Sequence, residues 1–280
     1  MRVMCYLLQL WAHFARTIAG DCHCVRGAEV SRGPAQFRCG ERLSESSEPL
    51  VLLPGMNCSA ELWSRLDRGG GWPPLITTEL AEPTLQGQVS RLLDELPRRF
   101  AIGGLSLGGI VAMALTRTAP ERISSLILLS TNPYAPTRAQ RNDWRTWREA
   151  LNAGRTAREL QLEWLPQLLS EPARGRGDLV ELTLDMAEKV GEAHLDAQLA
   201  MQATRLDERR SLRSIRCPTL IVSARQDALC SVARHVEMNH LIGSSTLAIL
   251  ENCGHLSPLE QPRQVTEHVA RWRSTGSARS

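Results

Sequence analysis

The chain has 280 residues and 31.1 kDa, enough for one sizeable hydrophobic core and too long for a disulfide-stapled mini-fold. Hydrophobic residues make up 42% and charged residues 22%, with a mean hydropathy of −0.22, a globular balance that excludes disorder. The net charge of +3 is too small and too evenly spread for a nucleic-acid binder, and Lys189, the one lysine, leaves almost no candidate for lysine-based catalysis.

The apolar stretch Met1–Ala15 is interrupted by Gln9 and His13 and is too short for stable membrane insertion. With Thr17-Ile18-Ala19 behind it, it is faintly like an export signal, so a cytoplasmic location is expected with export as the alternative. Residues 1–48 hold Gly, Ser, Arg and Cys without a sustained period and read as a poorly organised extension. Four of the eight cysteines (Cys5, Cys22, Cys24, Cys39) fall there, and Cys58, Cys217, Cys230 and Cys253 are scattered beyond. Cys22-His23-Cys24 with Cys39 matches no common zinc spacing. Reduced thiols, and no metal site, are the expectation.

From Pro49 the pattern changes. Pro49–Leu53 is a short apolar run stopped by Pro54-Gly55, as for a buried strand entering a tight loop. Ser59–Leu66 has helical spacing, and Leu75–Thr78 suggests a second strand. Leu85, Val89, Leu92, Leu93 and Leu96 share one helical face. Phe100–Ile102 is a third strand, and Ile110–Leu115 continues as a helix. Leu126–Leu129, Thr219–Val222 and Leu247–Leu250 complete the strands, and a last helix starts near Pro262. Alternating strands and helices, with strands apolar on both faces, specify an α/β fold: a mostly parallel sheet flanked by helices. Between Ser130 and Arg216 only helical patterns occur, so a helical lid is expected at about residues 136–216. It is inserted in a domain of residues 49–273, with a flexible tail at 274–280. The carboxyl edge of such a sheet is where ligands bind.

Gly104-Leu105-Ser106-Leu107-Gly108-Gly109 lies between the third strand and its helix. A strand that turns at once into a helix forces its apex residue toward positive φ and leaves room only for glycine or a very small residue two positions either side. Gly104 and Gly108 meet that need, while Gly103 and Gly109 relax it further. Ser106 Oγ is then lifted above the sheet, and the Leu107 N–H, at a helix N-terminus, aims at any negative charge forming there. Read blandly, the same turn is a small-residue corner whose serine caps a helix. A nucleophilic serine needs a base, and the base needs an orienting carboxylate, in the chain order Ser, acid, His with each partner in a loop after a strand. Asp227 after Thr219–Val222 and His255 after Leu247–Leu250 fit that order. His194, His235, His240 and His268 fall in helical stretches and read as surface or partly buried residues.

With Pro54-Gly55-Met56, the Gly104–Gly109 turn, Cys217–Val222 with Asp227, and Gly254–Pro262 around His255, the chain resembles the α/β-hydrolase superfamily. Within it, the likeness is to the small single-domain esterase and lactone-hydrolase branch, and it covers about residues 49–273. The resemblance implies Ser106 as nucleophile, His255 as base, Asp227 as orienting acid, and an oxyanion hole made by the Met56 and Leu107 N–H groups. Many members have His-Gly where this chain has Pro54-Gly55, which leaves the backbone donor in place but changes how its loop is braced. A Gly-rich loop after the next strand is replaced by Ala81–Thr84.

The implied activity is a serine hydrolase that forms an acyl-enzyme on a small, largely apolar carboxylic ester or lactone, with no metal or organic cofactor. Alternatives on the same triad are C–C bond or thioester hydrolysis, and a different class is a non-catalytic binding module. The expected partner is a small-molecule substrate, with the chain a monomer or homodimer. A histidine base must be neutral to accept a proton, so the rate is expected to fall on the acid side.

Trp144, Trp147 and Leu151 share one helical face, and Trp164 shares another with Leu160 and Leu168. These faces either pack the lid to the sheet or line the acyl pocket. In the second case each buried methylene is worth about 0.8 kcal/mol, or roughly fourfold in kcat/KM, until the pocket is full. Nitrophenyl esters of two, four, six and eight acyl carbons are expected to give a rising series, whereas a flat or falling one assigns the tryptophans to packing. Charged acyl groups are expected to do poorly, because no unpaired arginine is assignable to the pocket from sequence.

Overall fold

A computed structural model describes residues 48–67 and 72–277. The expectations for residues 1–47, including the export-like stretch and the four early cysteines, lie outside the described residues. The strands are β1 (Leu50–Leu53), β2 (Leu75–Thr77), β3 (Phe100–Leu105), β4 (Ile123–Leu129), β5 (Thr219–Ala224) and β6 (Ser245–Leu250). All neighbours pair in parallel, in the order β2-β1-β3-β4-β5-β6. The inner strands are mostly apolar and largely buried, as a sheet covered on both faces requires, although β3 also carries Gly103 and Gly104 and β5 Thr219 and Ser223. β2 and β6 form the edges and are partly exposed.

Strand alternation sorts the core into two layers. Val51, Leu53 and Ile102 point into one apolar cluster, with α1 (Leu85–Glu95) and α2 (Leu107–Thr118) packed over it. Leu50, Leu52, Ala101 and Leu105 point into the other, which α9 (Ser257–Glu260) and α10 (Pro262–Ser277) help to cover. The chain leaves β1 for β2 on one side and returns to β3 on the other. The strand order therefore reverses between β1 and β3, and a crevice opens beyond their carboxyl ends.

Between β4 and β5 the chain is helical, with α3 (Arg138–Asn152), α4 (Ala157–Leu168), the short α5 (Glu171–Arg174), α6 (Gly177–Thr204) and the short α7 (Arg209–Leu212). Thr137 with Gln140, and Thr156 with Glu159, form reciprocal capping boxes that fix the starts of α3 and α4. α6 kinks at Gly191, whose φ of 71° a residue with a side chain rarely adopts. Ion pairs from Arg148 to Asp196 at 2.7 Å and from Arg158 to Asp185 at 3.0 Å tie α3 and α4 to α6. α8 (Val232–Leu241) links β5 to β6.

Two elements differ from their sequence patterns. Ser59–Leu66 yields only a 3-10 turn at Ala60–Trp63, whose N-cap Ser59 makes no side-chain capping bond. α10 runs on through Ser277, beyond the boundary at residue 273, since no proline intervenes. None of the helices among the described residues is long and apolar enough to cross a membrane.

β1, β3 and α2 meet at a contact that excludes side chains. A Cβ on Gly108 would lie 2.2 Å from the Leu53 carbonyl oxygen, and one on Gly104 would lie 2.2 Å from the Gly108 carbonyl carbon. Backbone cannot yield as a flexible side chain can. Gly108→Ala is expected to cost about 3 kcal/mol or more, at the upper end of overpacking penalties, read as a lowered urea midpoint. A midpoint within error of the parent would show that β1 and α2 can separate freely.

Candidate active site

Ser106 joins β3 to α2 with φ 53° and ψ −113°, a conformation costly for a residue with a Cβ. The surroundings over-determine it. Its N–H donates to the Leu129 carbonyl at 3.0 Å, and its own carbonyl accepts from the Ile110 N–H at 3.1 Å and the Thr131 hydroxyl at 2.8 Å. Its side chain, half-buried, faces a cavity of about 550 Å³. Gly109 does more than relax the turn, because a Cβ there would lie 2.7 Å from the Thr131 Cβ.

Asp227 and His255 stand in the loops after β5 and β6, both buried. Nδ1–H of His255 donates to the Asp227 carboxylate, with Nδ1 2.9 Å from Oδ2 and 3.0 Å from Oδ1. The Leu229 and Cys230 N–H groups also donate to Oδ1, each at 2.9 Å. Burial alone would raise the Asp227 pKa, but the His255 charge and these hydrogen bonds outweigh it and hold the carboxyl below its usual range.

Cys230 Sγ, an Asp227 oxygen and a His255 ring nitrogen lie within 4.8 Å of one another, and Cys230 shares the cavity wall with Ser106. Among the described residues this is the only trio with metal-ligand chemistry. Its carboxylate is already committed to three N–H donors. Burial, then the Asp227 charge, push the Cys230 thiol up to about 12, so it is a protonated neighbour of the pair. Cys58, Cys217 and Cys253 are also free thiols.

The same cavity brings in all three tryptophans. Trp144 is buried, and Trp147 meets Trp164 edge-on with ring centroids 4.6 Å apart. A second cavity, about 290 Å³, is lined by Pro54, Cys58, Lys189 and His194 and touches none of Ser106, Asp227 and His255.

Met56 follows β1 and Leu107 opens α2, on either side of the glycine contact. Neither N–H has a hydrogen-bond partner among the described residues. Asn57, left-handed at φ 56°, braces the loop that carries Met56. Its N–H donates to Gln198 Oε1 at 2.8 Å, and its Nδ2 donates to Gln161 Oε1 at 2.9 Å and to the Ala157 carbonyl at 3.1 Å. The inserted helices therefore hold this loop. They hold the other loop too: the His255 N–H donates to the Leu168 carbonyl at 3.0 Å, and Glu260 Oε2 accepts from Gly254 at 3.0 Å and Ser170 at 3.2 Å.

Two residues of the site escape the sequence pattern. Arg205 lines the cavity, against the expectation that no arginine is assignable there. His235, expected at or near the surface, is fully buried. The Thr131 N–H donates to His235 Nε2 at 3.1 Å, so the ring proton sits on Nδ1, 3.0 Å from the Ser231 carbonyl. Through Thr131, whose hydroxyl bonds to the Ser106 carbonyl, His235 braces the turn that carries Ser106. His194 borders the second cavity, and His240 is exposed.

A strand–turn–helix serine, a buried His–Asp pair and an inserted helical cap define an α/β-hydrolase architecture. The family model described as "Alpha/beta hydrolase family" matches residues 50–268, and the chain belongs to that family. Its relatives include the pimeloyl-[acyl-carrier protein] methyl ester esterase of Aromatoleum aromaticum, 29% identical over 239 residues, which are 76% of this chain and 93% of that protein. Among solved structures, a thermophilic esterase from Thermogutta terrifontis is 24% identical with a TM-score of 0.71, covering 82% of this chain and 90% of that one. An enol-lactonase from Burkholderia xenovorans has the same TM-score of 0.71 at 19% identity, covering 84% and 94%. The protein is a hydrolase of this fold acting on a small organic substrate.

Burial holds the His235 imidazole below its usual range even though the Ser231 carbonyl favours its charged form. The unfolded chain, with an ordinary value of about 6.5, takes up a proton there that the folded chain refuses. Stability is therefore undiminished above that value and declines as pH falls through it. Between about pH 7.5 and about pH 5 the wild type is expected to lose more thermal stability than His235→Gln. Equal losses would place the acid sensitivity elsewhere.

Proposed function

We propose that the protein is a serine carboxylic ester hydrolase with Ser106 as nucleophile, His255 as general base and Asp227 as the acid that orients it. The observation that carries this reading is the buried Nδ1–carboxylate pair at 2.9 Å, beside the cavity into which the left-handed Ser106 projects. Serine is favoured over Cys230 as nucleophile because a thiol pushed up to about 12 presents almost no thiolate at neutral pH, and Cys230 sits in no such turn.

In the proposed reaction Ser106 Oγ bonds to the acyl carbon while His255 Nε2 takes its proton. Asp227 fixes the tautomer through Nδ1–H and stabilises the imidazolium. The negative charge on the former carbonyl oxygen falls between the Met56 and Leu107 N–H groups, the second of which opens a helix. His255 then protonates the departing alcohol. Water, deprotonated by the same ring, attacks the acyl carbon and releases the acid and Ser106.

A carboxylic ester on a medium-length acyl chain is the substrate class best supported. The tryptophan-walled cavity suits a chain of methylenes, and the relatives named as methyl ester esterases act, by their names, on an ester at the end of a pimeloyl chain. Ser106→Ala is expected to stay folded while losing ester hydrolysis at least about a thousandfold, together with covalent labelling by a fluorophosphonate. Cys230→Ala is expected to keep the label. Labelling that depended on Cys230 and ignored Ser106 would overturn the assignment.

A further inference from the structure

Arg205 stands at the C-terminal end of α6 and is only 6% exposed, yet it borders the cavity that holds Ser106. Its Nη1 donates to Gln202 Oε1 at 2.8 Å and its Nη2 to Gln140 Oε1 at 3.1 Å, both neutral amides. The guanidinium carbon lies 5.1 Å from the centroid of the Trp144 ring, and Nε has no hydrogen-bond partner among the described residues. Two of the five N–H donors of a guanidinium are thus used, and no carboxylate among the described residues forms an ion pair with it. Other cations are differently placed: on the inserted helices Arg148 pairs with Asp196 and Arg158 with Asp185, and on α2 Arg117 pairs with the buried Glu208.

A guanidinium removed from water and given only amide oxygens is short of the counter-charge that would balance it. Burial, with the nearby charges of Arg234 and Arg141 adding to it, pushes its pKa down to about 10, so it still carries its charge at neutral pH. Arg205 therefore brings a buried positive charge to the cavity wall. The cavity gives a ligand its way to the group, and Trp144 joins the guanidinium to the apolar wall.

We propose that Arg205 receives a free carboxylate at the end of the substrate's acyl chain, so that the ester processed at Ser106 is a monoanion, the half-ester of a dicarboxylic acid. The location of the scissile ester rests on the function proposed for Ser106, whereas the carboxylate site does not. A planar carboxylate matches the guanidinium fork. Asp143 and Glu163 border the same cavity, so a bound anion of single charge meets less repulsion there than a dianion such as phosphate. The chain's methylenes lie along Trp144, Trp147 and Trp164 in this arrangement, which reconciles an apolar wall with a charged terminus.

The test compares monomethyl with dimethyl esters of linear dicarboxylic acids of four to eight carbons, read as the ratio of their kcat/KM values. In the wild type the monoanion is expected to lead by roughly ten- to hundredfold at its best length, the worth of a hydrogen-bonded charge pair. Arg205→Gln is expected to collapse that ratio to about one or below, and Arg205→Lys to restore part of it. Because Arg205→Gln removes an uncompensated buried charge, its unfolding midpoint is expected at or above that of the parent, and the wild-type ratio needs no variant at all. A second readout needs no turnover: calorimetric binding of the monomethyl ester to Ser106→Ala, expected to weaken at least about tenfold when Arg205→Gln is added, with inorganic phosphate failing to compete. A wild-type ratio at or below one, or one that Arg205→Gln leaves unchanged, overturns the proposal while leaving the hydrolase reading intact. Arg205-dependent binding without hydrolysis of any ester supports the carboxylate site and defeats the hydrolase reading.

Discussion

The close approach of α2 to the end of β1, where Gly108 lies against the Leu53 carbonyl, is the constraint on which the site depends. It puts the loop after β1 beside the first turn of α2, so the unpartnered N–H groups of Met56 and Leu107 come from the two sides of one contact. It also leaves Ser106 no regular conformation. A left-handed, non-glycine residue stores roughly 1–3 kcal/mol, and here the stored energy is offset by hydrogen bonds to Leu129, Ile110 and Thr131 that a relaxed turn would forfeit. The positive-φ geometry of Ser106 arises from packing between a strand and a helix. It does not depend on the serine side chain, which makes none of those bonds.

The inserted helices do more than cover the crevice. Through Gln198 and Gln161 they fix Asn57, and through Leu168 and Ser170 they fix the loop of His255, in both cases with buried hydrogen bonds. Swinging the whole insertion away would strand those donors and acceptors without partners, at about 1–3 kcal/mol for each group left buried. Trp147 on α3 and Trp164 on α4, which line the cavity and are only partly buried, carry no such buried hydrogen bonds among the described residues and can move at less cost than the insertion as a whole. An insertion that braces both loops couples its own stability to the placement of His255 and of the Met56 N–H.

Much of this was legible in the sequence, for physical reasons that differ by element. The inner strands announce themselves as short apolar runs because burial on both faces disfavours charged side chains, and the Ser106 turn because only glycine fits at residues 104 and 108. Asp227 and His255 are found by order, each directly after an apolar strand. Residues whose role depends on contacts across more than a hundred positions leave no such trace. Asn57 meets Gln198 and Gln161 only once the insertion folds over it. His235 sits in a helical stretch of ordinary polarity, and nothing local says that its ring is sealed between β5 and the segment after β4. The 3-10 turn at Ala60–Trp63 shows the opposite failure, a convincing helical period that yields a single turn without a side-chain cap at Ser59.

Arg205 is the sharpest case of a position that periodicity misreads. It opens the run Arg205-Leu206-Asp207-Glu208-Arg209-Arg210, whose dense charge has the pattern of a solvated segment. Yet Leu206 is among the most exposed large apolar side chains described, while Arg205 and Glu208 are buried, an inversion of the usual ordering. For Glu208 the inversion is answered within the chain by Arg117, at 3.0 Å. For Arg205 the chain offers two amides and an aromatic face, contacts that orient a guanidinium without neutralising it. A protein that buries two opposite charges three residues apart and pairs only one of them has left the second where a ligand can reach it. The stability forgone at Arg205 is of the kind retained where binding requires a charge already in place and already stripped of water.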